Sequence, residues 1–167
     1  NSDRRQRQMC IRDSLKRELL EKSNKDLPNI LKYDAHAKEN SMLNTPNTFG
    51  WYVAGKIFRW YKKNGGVKEM EKNSIKKTNH LYQIIDNSDF YINPVFQEQR
   101  SICNVVFTLQ NDELESKFLS GAEENGLFYL KGHRSVGGMR ASIYNPLEFE
   151  HVERLGQYMI DFEKKYG

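Results

Sequence analysis

Leu130–Asn145, LKGHRSVGGMRASIYN, is the stretch on which the reading of this chain turns. From Met139 to Tyr144 apolar and polar residues alternate. That period of two predicts a strand with Met139, Ala141 and Ile143 on one face and Arg140, Ser142 and Tyr144 on the other. The Gly137-Gly138 pair ahead of it marks a turn, and His133 and Arg134 lie on the loop leading in. A guanidinium offers a planar fork that fits a carboxylate or phosphate, and an imidazole adds a donor. One cation on a rigid strand and two groups on the adjoining loop suit a ligand with two anionic ends. A solvated loop beside an ordinary polar strand face has the same pattern, and spacing does not choose between them.

Working outward, Asn104–Leu109 (NVVFTL) has the β-branched content of a strand. Leu127–Leu130 reads as a strand entering the loop, and Met139–Tyr144 should pair with it or with 104–109. Phe90–Ile92 is a short extended piece. Asn44-Thr45-Pro46 predicts a helix start, with Thr45 as cap and Pro46 in the first turn. Phe49, Val53, Ile57 and Trp60/Tyr61 follow at helical spacing until Asn64-Gly65-Gly66. Residues 67–86 predict a second helix burying Val67, Met70, Leu81 and Ile85. Asp112 and Glu115 offer a capping box for a third, with Leu114, Phe118 and Ala122 inward and Gly126 as its stop. Asn145 should cap the last helix, whose stripe is Val152, Leu155, Met159 and Phe162. Arg17–Lys22 suggests a short helix and 23–40 a polar connection. Together these elements predict an α+β fold, helices packed on a small antiparallel or mixed sheet.

The 167 residues, 38% hydrophobic and 12% aromatic, suffice for one domain with a real core. The formal charge of +4 invites a nucleic-acid reading. Yet the first 17 residues hold six Lys/Arg against Asp3 and Asp13, leaving twenty basic and twenty acidic groups in the rest. A nucleic-acid binder needs its excess on the folded body, so a polar, disordered terminus is the better expectation. Cys10 and Cys103 give neither a disulfide framework nor metal spacing, and the four histidines are scattered. No metal is expected. No apolar run reaches membrane length and no signal-peptide pattern opens the chain, and the lack of a disulfide framework makes a reducing cytosol the expected compartment.

The string KGHRSVGGMRASIYN closely resembles the C-terminal signature of phosphoserine aminotransferases, the vitamin-B6-dependent enzymes of serine biosynthesis. Ser41–Phe49 (SMLNTPNTF) and Ile85–Tyr91 (IDNSDFY) match in the same order. The resemblance runs from about Lys16 to Gly167, so it implies three segments. Residues 1–15 stand outside the family, 16–43 connect to a large domain, and 44–167 form the small C-terminal domain of a fold-type I aminotransferase. By the same resemblance Asn44 and Thr45 contact the phosphate of pyridoxal phosphate held by the other subunit of a homodimer. His133 and Arg134 take the substrate phosphate, and Arg140 its carboxylate. The implied reaction moves an amino group from glutamate to 3-phosphohydroxypyruvate, giving phosphoserine and 2-oxoglutarate. Relatives also act on a phosphorylated four-carbon oxo acid in vitamin B6 synthesis.

One departure from the family concerns lysine. In relatives the lysine that forms the Schiff base lies upstream of the first matching residue. Lys56, Lys62, Lys63, Lys76 and Lys77 all fall on charged helix faces, where exposed lysines belong. The chain alone is therefore expected to be inactive. A non-catalytic anion-binding or dimerisation module is the rival reading.

Overall fold

The computed structural model describes residues 15–20, 22 and 24–167. The expected disordered segment 1–15 lies, apart from Leu15, outside the described residues. Contacts group the chain into two compact units, one ending at Trp60 and the other beginning at Tyr61.

The first unit holds single 3-10 turns at Arg17–Leu19 and Asn29–Leu31, helix α1 (Tyr33–Lys38) and most of helix α2 (Thr48–Lys63). The turn at Arg17–Leu19 is shorter than the helix expected over Arg17–Lys22. Nor is 23–40 merely a connection. Asp34 and Lys38 sit one turn apart in α1, 3.8 Å from each other, and His36 Nε2 reaches the Ile30 carbonyl at 2.9 Å. Helix α2 starts later than expected. The Asn47 side chain accepts from the Gly50 N–H at 2.9 Å, and its carbonyl accepts from Trp51 at 3.0 Å. Asn47 is thus the cap in place of Thr45, because it alone reaches the orphan amides of the first turn. The apolar stripe of α2 is present but not internal: no residue of α2 is buried, and Phe49 is 77% exposed.

The second unit is the α+β layer: α3 (Gly66–Asp86), β1 (Tyr91–Ile92), β2 (Asn104–Leu109), α4 (Glu115–Glu124), β3 (Met139–Ser142) and α5 (Phe149–Tyr166). The strands form an antiparallel sheet in the order β1-β2-β3. Val106 pairs with Arg140 and Phe107 with Met139. One face of the sheet builds the core from Val105, Phe107, Leu109, Met139, Ala141 and Ile143. Against it lie Leu81 and Ile85 of α3, Phe118 and Ala122 of α4, and Val152, Leu155, Met159 and Phe162 of α5. The expected stripe of α5 and the alternation of β3 are both realised. Phe118 is fully buried, and Tyr91, Phe107, Tyr158 and Phe162 surround it with ring centroids 5.0–6.2 Å away. Such pairs add about 0.5–1.5 kcal/mol each beyond burial. The opposite face carries Asn104, Val106, Thr108, Arg140 and Ser142, all half-buried.

Several local expectations fail for identifiable reasons. Leu127–Leu130 is not a strand: Tyr129 takes φ 64°, which breaks the extended run, and pairing shrinks to a single Lys131–Met139 bridge. Val67 is 81% exposed because it lies in the first turn of α3, ahead of the buried stripe that begins at Met70. Asn111, not Asp112, supplies the cap before α4, its side chain accepting from Glu113 N–H at 3.0 Å. Asn145 does not cap α5, which begins at Phe149. Its amide is engaged instead by the Ser74 hydroxyl at 3.0 Å and by Tyr61 at 2.9 Å.

Two core tyrosines make the fold alkali-sensitive. Burial pushes Tyr158 up to about 12 and Tyr91 well above the ordinary phenol range. Each hydroxyl donates to a helix carbonyl, Tyr158 to Phe118 at 2.7 Å and Tyr91 to Met159 at 2.8 Å. The unfolded phenol ionises near 10, so this stabilisation is complete below that pH and disappears as pH rises towards about 12. Thermal melts over that range should show a falling midpoint, and Tyr158→Phe should flatten the slope.

Candidate anion-binding site

Lys131–Met139 close a short hairpin. Gly132 N–H donates to the Gly138 carbonyl at 2.7 Å, and the His133 carbonyl accepts from both Val136 and Gly137 at 2.9 Å. Gly137 and Gly138 take φ 80° and 64°. At Gly138 a Cβ would stand 2.7 Å from Thr108 Cγ2 and 2.9 Å from the Phe107 carbonyl, so the hairpin lies tight against β2. At Gly137 nothing lies within 4 Å. Gly137→Ala therefore reports left-handed strain alone, about 1–2 kcal/mol. Gly138→Ala adds a backbone collision, and its melting temperature should fall further than that of Gly137→Ala.

The hairpin carries all three cationic candidates. His133 and Arg134 are exposed on its turn, and Arg140 is half-buried on β3. The Nε of Arg140 is cut off from solvent and has no hydrogen-bond partner. Burying a charged donor unpaired is costly. Ion pairs among the described residues join Lys38–Asp34, Lys72–Glu69, Arg100–Asp86 and Lys164–Asp161, and none engages Arg134 or Arg140. Arg100 shows the contrast: Asp86 grips it bidentately at 2.6 and 2.7 Å, and Tyr82 stacks beneath it. Arg100 is neutralised; Arg140 is free to take an anion. His133 Nδ1 lies 2.7 Å from the Ser135 hydroxyl, a partner that sequence reading missed.

Asn44 and Thr45 belong to the first unit. They lie exposed in the irregular stretch before α2, not at its first turn. Neither is engaged in a hydrogen bond among the described residues.

The lysines depart from expectation at one position. Lys77 is only 4% exposed. Its ammonium donates to the carbonyls of Tyr144 at 3.0 Å, Asn145 at 3.4 Å and Leu147 at 3.0 Å. All three of its donors are thereby engaged. The signal was available: Met70, Ser74, Lys77, Leu81 and Ile85 form one stripe of α3 at steps of three and four. Lys76, next to it, lies outside that stripe with its ammonium 4.1 Å above the Phe149 ring.

A family model for class-V aminotransferases matches residues 9–155, a span that includes every candidate site residue. The chain belongs to the class-V aminotransferase family. Among curated relatives, phosphoserine aminotransferase of Buchnera aphidicola subsp. Schizaphis graminum is 50% identical, the match covering 92% of this chain and 42% of that protein. The Acinetobacter baylyi enzyme is 51% identical over 90% of this chain and 42% of its own length. Among solved structures, phosphoserine aminotransferase from Bacillus circulans subsp. alkalophilus superposes with TM-score 0.82 at 41% identity, over 90% of this chain and 42% of that one. PLP-bound phosphoserine aminotransferase from Trichomonas vaginalis gives TM-score 0.73 at 34% identity, covering 82% and 39%. The α+β fold described above matches the C-terminal region of these aminotransferases. The chain thus spans about two-fifths of the length of the relatives it matches.

The family depends on pyridoxal phosphate. The residues present fit a phosphate: Asn44 and Thr45 put an amide and a hydroxyl, both unengaged, on an exposed stretch of backbone. Such neutral donors hold phosphate oxygens without demanding a counter-charge.

Proposed function

We propose that this chain is the C-terminal part of a phosphoserine aminotransferase, the parent enzyme moving an amino group from glutamate to 3-phosphohydroxypyruvate. Arg140 binds the substrate carboxylate, and His133 and Arg134 bind its phosphate. Asn44 and Thr45 hold the phosphate of pyridoxal phosphate in the partner subunit of a cytoplasmic homodimer. When bound, the cofactor supplies the electron sink for moving the amino group. This chain's residues bind and orient. Within the parent, 44–167 is the small domain and 16–43 connects it to a large domain; residues 1–8 precede the stretch that the family model matches. A role in vitamin B6 synthesis follows if a phosphorylated four-carbon oxo acid is also accepted.

The observation that carries this reading is the buried, partnerless Nε of Arg140 on the same hairpin as His133 and Arg134. A dianionic metabolite would engage the outer nitrogens of that guanidinium and bridge strand to turn. The exposed Phe49, Trp51, Tyr52 and Phe58 of α2 support a subunit interface. Lys77 has all three donors engaged by carbonyls, and Lys56, Lys62 and Lys63 of α2 lie exposed. We therefore assign the Schiff-base lysine to the large domain and read this segment as inactive alone.

The test mixes the chain with a separately produced large-domain segment and pyridoxal phosphate, and follows 2-oxoglutarate release from glutamate. Activity should appear only in the mixture. Turnover by the chain alone would refute the division of labour. A mixture that binds phosphoserine but never turns over would favour a non-catalytic anion-binding module.

A further inference from the structure

The Nδ1 atom of His133 has two neighbours, both from Ser135: the hydroxyl at 2.7 Å and the backbone nitrogen at 3.3 Å. A backbone N–H can only donate, so Nδ1 must be the acceptor. The ring proton of the neutral imidazole then sits on Nε2. Nε2 itself has no partner among the described residues. The His133 carbonyl is meanwhile pinned by Val136 and Gly137 N–H. Ring and backbone of this residue are thus fixed by the same short turn.

We infer that Ser135 is a positioning residue: by holding Nδ1 as an acceptor, it makes His133 present Nε2–H as a donor to the substrate phosphate. The inference rests on the phosphate assignment above and adds to it a tautomer and the residue that sets it. A phosphate oxygen can only be served by a donor. An imidazole with its proton on Nδ1 would turn a lone pair towards the anion. The Ser135 backbone N–H fixes Nδ1 as the acceptor and the hydroxyl adds a second bond to it, so together they decide whether the contact attracts or repels.

The tautomer is measured on the chain itself by 15N NMR of the neutral His133 ring. Nε2 should resonate as the protonated nitrogen and Nδ1 as the bare one. In Ser135→Ala the Nδ1-protonated fraction should rise roughly three- to tenfold, the equivalent of one neutral hydrogen bond. Ser135→Thr should restore the original ratio. An Nδ1-protonated ring in the unaltered chain, or a ratio indifferent to Ser135→Ala, overturns the inference.

A binding cycle separates this result from the site assignment. Ser135→Ala should weaken O-phosphoserine binding by roughly three- to tenfold and should have no further effect once His133→Ala is present. If the loss persists in that background, Ser135 touches the phosphate directly and the inference fails. If His133→Ala leaves phosphoserine binding unchanged, the phosphate assignment fails, while the tautomer result stands or falls on the NMR alone.

Discussion

Replacing Lys77 by methionine should lower the melting temperature by roughly 5–15 °C. Methionine keeps the apolar stem but removes an ammonium whose donors serve three carbonyls between Tyr144 and Leu147. That turn links β3 to α5; the Tyr144 carbonyl also accepts from Leu147 N–H at 3.0 Å, but no other described donor reaches the Asn145 carbonyl. A buried carbonyl left without a donor costs about 1–3 kcal/mol. Water entering part of the space reduces the sum to about 2–5 kcal/mol, and each kcal/mol moves the midpoint of a chain this size by about 2–4 °C. Lys76→Met is the control: it removes a cation lying above the Phe149 ring, worth only about 0.5–1 kcal/mol at an exposed site. Burial also pushes the Lys77 ammonium below its ordinary value of 10.5. The unfolded side chain holds its proton more tightly, so stability from this group rises as pH climbs to 10.5. The gap between the parent and Lys77→Met should widen over that interval. Equal melting temperatures at neutral pH would show that the carbonyls do not depend on the ammonium.

Lys77 also marks where sequence reading stops. Periodicity is a local property, so the stripe Val152, Leu155, Met159 and Phe162 and the alternation Met139–Ile143 could be read directly, as could the span Asn104–Leu109. Identity at a stripe position is harder. A lysine between Ser74 and Leu81 reads as solvent-exposed until a turn distant in sequence supplies its acceptors. The same holds for α2, where spacing defined an apolar face but not what covers it. Caps were misassigned where neighbouring residues compete: Asn47 displaces Thr45, and Asn111 displaces Asp112. Asn145 was lost to partners in α3 and at Tyr61, which no local rule anticipates. At Leu127–Leu130 the left-handed Tyr129 ends a strand that composition favoured. The hairpin residues His133, Arg134 and Arg140 were legible from the motif. The stranded Nε of Arg140 and the hold of Ser135 on His133 are facts of distance in the folded chain.

Removing the Arg140 guanidinium should separate binding from stability. In Arg140→Met the affinity for O-phosphoserine should fall by the equivalent of about 2–5 kcal/mol, roughly thirtyfold to several thousandfold. Arg140→Lys should recover little of this, because a point charge cannot replace a fork aimed at a carboxylate. The thermal midpoint should move the other way. An unpartnered buried N–H is a cost in the free protein, and methionine removes it while filling similar space on the half-buried sheet face. A midpoint equal to or above that of the parent, with binding lost, is the signature of a residue kept for its ligand. The ligand series assigns the ends. Alanine carries one carboxylate and no second anion, so its binding should fall with Arg140→Met and be indifferent to Arg134→Ala. Inorganic phosphate should show the reverse. Calorimetric titration of both ligands against both variants reads the two ends independently. If Arg140→Met lowers the midpoint by several degrees and leaves phosphoserine affinity intact, Arg140 is a packing residue of the sheet, and the carboxylate must be held elsewhere.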